Sequence, residues 1–147
     1  MSRHTRYQGA IIENHHILLI QHREHASGRS YWVIPGGGIE PGETEAECVK
    51  REMKEETHLD VAVEGLILDE PGLPGEIYKV RKTFLCRPTG GEAQPGSEPE
   101  PQAANNYAIS EVRWFDMRQV ETWDEELRRN QITFRQVMKI REALGYE

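Results

Sequence analysis

The sequence has no long hydrophobic run. Its longest uninterrupted apolar stretch, Ile17-Leu18-Leu19-Ile20, is strand-sized and far short of the roughly 18 residues a membrane span requires. No segment behind Met1 resembles a signal sequence, and no membrane partner is expected. Cysteine is scarce: Cys48 and Cys86 allow one bridge at most and exclude a disulfide framework, so a reducing cytoplasm is the expected setting. Positive charge is in the minority, 18 basic against 25 acidic residues for a net −7, and it is not tightly clustered. That balance disfavours nonspecific attraction to nucleic acid or an anionic membrane. Apolar residues make up only 37% of the chain, below the globular norm of roughly 45–50%, a count that includes Gly. The 147 residues suffice for one domain with a core and a very polar surface.

Two short apolar clusters, Ala10-Ile11-Ile12 and Ile17-Leu18-Leu19-Ile20, flank Glu13-Asn14-His15-His16 and predict a β-hairpin between Tyr7 and His22. Tyr31-Trp32-Val33-Ile34 reads as a short strand closed by Pro35 and three glycines. From Thr44 to Thr57 no Gly or Pro intervenes, and Thr44 with Glu47 forms a capping box. A helix is expected there, with Ala46, Val49 and Met53 on its buried side. Leu59 to Leu68 predicts a strand bent at Gly65, and Ile77 to Cys86 another, with Ile77, Val80, Phe84 and Leu85 as candidate core. Pro88 to Ala104 holds four prolines, three glycines and three glutamates. Such a composition buries too little apolar area to offset its ordering entropy, so a mobile loop is expected. Glu111 to Phe115 reads as a last strand. Met117 to Leu144 reads as two helical stretches, the second carrying Ile132, Gln136, Lys139 and Ile140 with Phe134, Val137, Met138 and Leu144 at helical spacing. This order predicts an α/β or α+β layered domain with a mixed sheet.

Chemistry concentrates between Gly36 and Leu59. At about 100° per residue, Glu52, Glu55 and Glu56 share one side of the expected helix. Carboxylates at these spacings repel one another by a few tenths of a kcal/mol per pair, so the cluster calls for a cation. Arg51 is adjacent and could fork onto one carboxylate, but a single guanidinium does not neutralise the set. Oxygen-only ligation points to Mg²⁺, Mn²⁺ or Ca²⁺ ahead of zinc. Gly36, Gly37 and Gly38 let the backbone come close and offer carbonyls or amides to metal or phosphate. A cation held by few carboxylates fills its remaining sites with water and substrate phosphates. Hydrolysis of a phosphate ester or anhydride follows, with a glutamate taking the proton from water.

This spacing resembles the Nudix box: Gly, five residues, Glu, seven residues, Arg-Glu, an aliphatic residue, any residue, Glu-Glu, any residue, Gly and an aliphatic residue. Gly37, Glu43, Arg51, Glu52, Glu55 and Glu56 match its fixed positions, and Met53 and Leu59 its aliphatic ones. His58 stands where the family has glycine; His tolerates a left-handed helix end better than most side chains. The resemblance extends to Trp32-Val33-Ile34-Pro35-Gly36-Gly37 and to Ser110-Glu111-Val112-Arg113-Trp114-Phe115. It implies a single α/β/α sandwich domain over residues 1–147, with a mixed β-sheet, that hydrolyses a nucleoside diphosphate linked to another group. It further implies Glu52, Glu55, Glu56 and the Gly36 carbonyl as ligands of Mg²⁺ or Mn²⁺, and Arg51 with Glu43 as an orienting pair. Family members often add a base or ligand from a later loop, and Glu111 is the candidate here. Dimers are common in the family, and the C-terminal helices could supply an interface.

Gly37, Gly38, Trp32 and Arg23 are the candidate substrate contacts. Tyr31, Tyr78 and Tyr107 are further candidates for stacking on a base, whereas Trp32 and Trp114 are more often core residues. His15, His16, His22 and His25 are expected on the surface or in a substrate loop, since no Cys or carboxylate completes a ligand spacing. Cys48 lacks the basic partner of a catalytic thiol. The alternative to an enzyme is a catalytically silent nucleotide-sensing or regulatory module of the same fold, whose signature would be damaged glutamates. All three are present.

Overall fold

The computed structural model describes residues 4–97 and 106–146. Strands β1 (Thr5–Glu13) and β2 (His16–Glu24) form the expected hairpin. Asn14 and His15, both at positive φ (49° and 65°), make its two-residue turn, the backbone twist that tight hairpins favour. Next come β3 (Ser30–Val33), β4 (Gly36–Gly37), helix α1 (Glu45–Thr57), β5 (Asp60–Pro71), β6 (Val80–Gly90) and β7 (Tyr107–Asp116). A 3₁₀ turn (Val120–Thr122) leads into α2 (Glu125–Arg129) and α3 (Gln131–Ala143).

The sheet is mixed, ordered β3-β2-β1-β6-β5, with β4 on β1 and β7 on β2. β1 runs parallel to β6 through seven register pairs, Thr5↔Val80 to Ile11↔Cys86. β1 and β2 share only the pairs Ile12↔Ile17 and Glu13↔His16. Beyond them β1 turns to β4 and β2 to β3, so the sheet divides into two halves with a crevice between.

Helices cover both faces. Ile17, Leu18, Leu19 and Ile20 are fully buried, which is why this strand reads as an unbroken apolar run and not an alternating one. Ile17 and Leu19 join Ala10, Trp32, Phe115 and the α3 residues Val137 and Ile140 in one core. Leu18 joins Ile11, Phe84 and the α1 residues Cys48, Val49 and Met53 in the other. The result is the α/β/α sandwich that the sequence implied.

Four local expectations change. Ala46 is exposed, whereas Val49 and Met53 are buried as expected and Cys48 joins them. Ile77 is 76% exposed, because β6 starts three residues later at Val80. β5 bends at Gly65 (φ 152°) as expected but extends to Pro71. Residues 88–90 complete β6, and the chain after them straps the end of α1: the amides of Gln94, Gly96 and Ser97 donate to the carbonyls of Thr57, Glu56 and Glu55 at 2.9, 3.0 and 3.0 Å. These carbonyls are the ones a helix C-terminus leaves without partners. The remainder of the expected mobile loop lies outside the described residues.

Candidate active site

α1 begins where its sequence says it should. The Thr44 side chain accepts from the Glu47 amide at 3.1 Å, and the Glu47 carboxylate accepts from the Thr44 amide at 2.8 Å. The helix ends at His58 in the left-handed conformation (φ 64°), with the His58 amide bonded to the Lys54 carbonyl. Between these caps the register is fixed. Glu52 and Glu56 face inward, 2% and 1% exposed, while Glu55 stays half-buried.

Arg51 organises the carboxylates. Its Nε donates to Glu43 Oε2 at 2.6 Å and its Nη2 to Glu43 Oε1 at 3.0 Å. Nη1 reaches Glu52 Oε2 at 3.1 Å and Glu55 Oε1 at 2.8 Å, and Nη2 also bonds the Gly38 carbonyl at 3.0 Å. The Glu43 hydrogen bond, with the charges of Glu52, Glu43 and Glu55, outweighs burial and raises the guanidinium pKa, so Arg51 is permanently charged. Glu43 additionally accepts from the Glu40 amide at 2.8 Å, which folds the turn before the helix. Glu56 Oε1 accepts from the Gly36 amide at 2.8 Å. A Cβ at Gly37 would overlap the Glu52 carboxylate, so the bare glycine keeps a space beside that group.

Glu43, Arg51, Glu52, Glu55, Glu56 and Gly36 to Gly38 therefore meet. Among the described residues no three His, Cys, Asp or Glu side chains converge as a ready metal cluster; the glutamates are turned onto Arg51 and the Gly36 amide. Their donor chemistry, carboxylate oxygens beside a glycine-lined space, fits a hard divalent cation.

Three other expected site residues lie elsewhere. Trp32 is fully buried in the α3-side core, edge-on to Phe115 at 5.1 Å, and is no stacking platform. Glu111 pairs with Arg113, which also holds Asp124. It lies toward α2 because β7 alternates: Val112 and Trp114 pack on the α1 side and Phe115 on the other. Arg23 is exposed beside Ser30, whose hydroxyl donates to Glu126.

One cavity of about 300 Å³ opens in the crevice between the sheet halves, lined in part by Arg6, His22, Tyr31, Tyr78, Tyr107 and Gln136. Arg6 donates from Nη2 to the Ile34 carbonyl at 3.0 Å. Burial opposes its charge, but Glu56, Tyr78, Tyr107 and Glu52 outweigh it and raise the pKa. Arg6 thus connects the cavity electrostatically to the α1 carboxylates. His22 is buried, contrary to expectation, at 6% exposure. Arg6 escaped the sequence reading because it sits in a polar stretch before the motif.

The NUDIX domain family model matches residues 3–136. The chain belongs to the NUDIX domain family. This Nudix domain is 38% identical over 93 residues to human 8-oxo-dGDP phosphatase NUDT18, covering 63% of this chain and 28% of that protein. It is 52% identical over 108 residues to the NAD-capped RNA hydrolase NudC of Vibrio vulnificus, covering 72% and 36%. It thus spans about a third of the length of these curated relatives. The fold is similar to that of an ADP-ribose pyrophosphatase from Streptococcus suis, with a TM-score of 0.70 at 23% identity, covering 99% of this chain and 95% of that one.

Proposed function

We propose that this Nudix domain is a divalent-metal-dependent hydrolase that cleaves the pyrophosphate linkage of a nucleoside diphosphate joined to another group. The observation that carries this reading is the intact set Glu52, Glu55 and Glu56 on α1, with Glu52 and Glu55 bonded to Arg51 and Glu56 to the Gly36 amide. Glu52, Glu55, Glu56 and the Gly36 carbonyl would hold Mg²⁺ or Mn²⁺. Such an ion supplies charge neutralisation to the phosphates. Arg51 aligns Glu52 and Glu55, and Glu43 fixes Arg51 by gripping two of its nitrogens. Arg6, beside Glu56 and Glu52, adds a positive charge between the carboxylates and the cavity, where substrate phosphate would lie. A carboxylate of α1 takes the proton of the attacking water. The water oxygen joins phosphorus as the bridging P–O bond breaks, and the departing phosphate keeps the electron pair.

The curated relatives act on 8-oxo-dGDP and NAD-capped RNA, and a solved structure of this fold is an ADP-ribose pyrophosphatase. These substrates share a nucleoside diphosphate core, and that core is the proposed substrate class. Cys48 and Cys86 are both buried and neither forms a disulfide, which suits work in a reducing cytoplasm. Among the described residues no helix is long and apolar enough to cross a membrane.

The test is phosphate release from a panel of nucleoside diphosphates, ADP-ribose and nicotinamide dinucleotides in Mg²⁺, Mn²⁺ or EDTA, with phosphatase and pyrophosphatase coupled to reveal either product. Metal-dependent turnover of at least one compound is expected. Binding without turnover across the panel would replace the hydrolase by a sensing module.

A further inference from the structure

β1 carries a polar residue where its pattern calls for an apolar one. Side chains alternate along the strand: Tyr7 and Ile11 pack on the α1 side, Ala10 and Ile12 on the α3 side. Gln8 shares the face of Ala10 and Ile12, and it is 1% exposed. Its register partner on β6, Thr83, is fully buried as well. Gln8 Nε2 donates to Thr83 Oγ1 at 2.9 Å, so each satisfies the other. Two aliphatic side chains would fill this space without drying any polar group. What they would lack is the Gln8 amide oxygen, and that oxygen accepts from two arginines, from Arg6 Nε at 3.1 Å and from Arg81 Nη1 at 3.5 Å.

The two arginines differ in what else holds them. Arg81 donates from Nε and Nη2 to the Glu76 carboxylate at 2.9 and 2.5 Å, so its charge is matched within the segment that joins β5 to β6. Arg6 has no ion pair among the described residues. Its Nη2 donates to the Ile34 carbonyl at 3.0 Å, and its Nη1 has no partner there. A planar guanidinium bonded through two nitrogens to fixed acceptors cannot turn, so the direction of its third nitrogen is set. Gln8 also abuts the carboxylate site through its backbone. It pairs in register with Gly36 on β4, and a Cβ on Gly36 would overlap the Tyr7 carbonyl and the Gln8 Cα. The Gly36 amide in turn bonds Glu56 at 2.8 Å. One residue therefore fixes both the Arg6 guanidinium and the strand that meets Glu56.

We infer that Gln8 is a positioning residue for the proposed hydrolysis: its amide oxygen holds the Arg6 guanidinium in one plane, with Nη1 presented to a substrate phosphate, and ties it through Arg81 to Glu76. The inference rests on the proposed hydrolase for the identity of that phosphate.

Two measurements on the 147-residue chain test it. The first needs neither metal nor nucleotide: hydrogen exchange of the Arg6 Nε–H, read by nuclear magnetic resonance. Gln8→Met, which keeps side-chain length and loses the acceptor, should speed it about tenfold or more, whereas Gln8→Glu, which keeps an acceptor, should stay within about threefold of the wild type. If Gln8→Met does not fold, Gln8→Asn, which withdraws the acceptor by one carbon, replaces it. The second is a double-mutant cycle in kcat/KM for the best compound of the nucleotide panel. Gln8→Met should lower kcat/KM about tenfold in the wild-type background, as loss of a group that orients a functional side chain does, and less than about twofold in an Arg6→Met background. Gln8→Glu should retain most of the activity. A loss of equal size in both backgrounds is what a merely structural role predicts, and it overturns the inference while leaving the hydrolase standing. Unchanged Nε–H exchange in Gln8→Met overturns it whether or not the chain hydrolyses anything. Failure of the wild type to turn over any compound would overturn the hydrolase, and with it a role for Gln8 in the reaction, even where exchange shows the Arg6 contact.

Discussion

Arg51 grips Glu43 through two nitrogens, Nε to Oε2 at 2.6 Å and Nη2 to Oε1 at 3.0 Å, and thereby aims its third nitrogen at Glu52 and Glu55. A planar fork performs both tasks at once, and a lysine ammonium is a single point charge on a flexible stem. Arg51→Lys is expected to lower turnover about 10- to 100-fold, the range seen when groups supporting metal ligands are removed. Glu52 is buried beside it, so replacing Arg51 with Met should also destabilise the fold by roughly 3 kcal/mol, the cost of stranding a buried charge. Steady-state kinetics and thermal melts of the two variants separate these effects.

His22 gives the fold an acid sensitivity of defined sign. Its folded pKa is lowered from 6.5 to about 3, so between those values the unfolded chain binds a proton that the folded chain does not. Stability is then full above about pH 6.5 and falls as pH drops toward 3, by an amount on the order of a few kcal/mol. Urea melts at pH 7 and pH 4.5 should show this loss in the wild type and a smaller loss in His22→Phe. Equal losses would contradict the assignment.

The left-handed conformation of His58 costs a non-glycine residue about 1–2 kcal/mol, partly offset in glycine by greater unfolded-state entropy. His58→Gly should therefore be neutral or raise stability by up to about 1 kcal/mol, which is roughly 2–4 °C in melting temperature for a chain of this size. Calorimetry reads it directly, and a lower melting temperature would contradict the helix-end geometry.

Features fixed by neighbours in the chain were legible in the sequence. The Thr44–Glu47 capping box, the helix it starts and the strained position of His58 all follow from a few consecutive residues. The apolar run Ile17 to Ile20 announced a strand of a hairpin, and its burial on both faces came with the structure. The sequence left Trp32 between core and substrate contact and could not place Glu111, because the face a strand residue occupies depends on its pairing register, and the β2–β7 register shifts between Gln21 and His22. Arg6 and His22 are brought to one cavity by strands that diverge after two register pairs, a tertiary event with no local signature. Gln136 did leave a trace, a polar residue on the apolar stripe of α3.

The strap over the end of α1 depends on Gly96. A Cβ there would overlap the Glu55 carbonyl, so Gly96→Ala is expected to push residues 94–97 off the helix and cost about 1–3 kcal/mol, as overpacking does. Hydrogen exchange at the Gln94, Gly96 and Ser97 amides should speed up. Unchanged protection would mean that these bonds to Thr57, Glu56 and Glu55 carry little of the helix-end stability.

The central claim is that Glu52, Glu55 and Glu56 together hold a catalytic divalent cation. The most direct measurement is Mn²⁺ affinity, followed by electron paramagnetic resonance, alongside turnover of the best substrate for the wild type, Glu55→Gln and Glu56→Gln. Each substitution removes one carboxylate charge from an oxygen site. The account predicts Mn²⁺ affinity weakened at least tenfold and turnover lowered by orders of magnitude, with melting temperatures near that of the wild type. Wild-type turnover and Mn²⁺ affinity in either variant would contradict it.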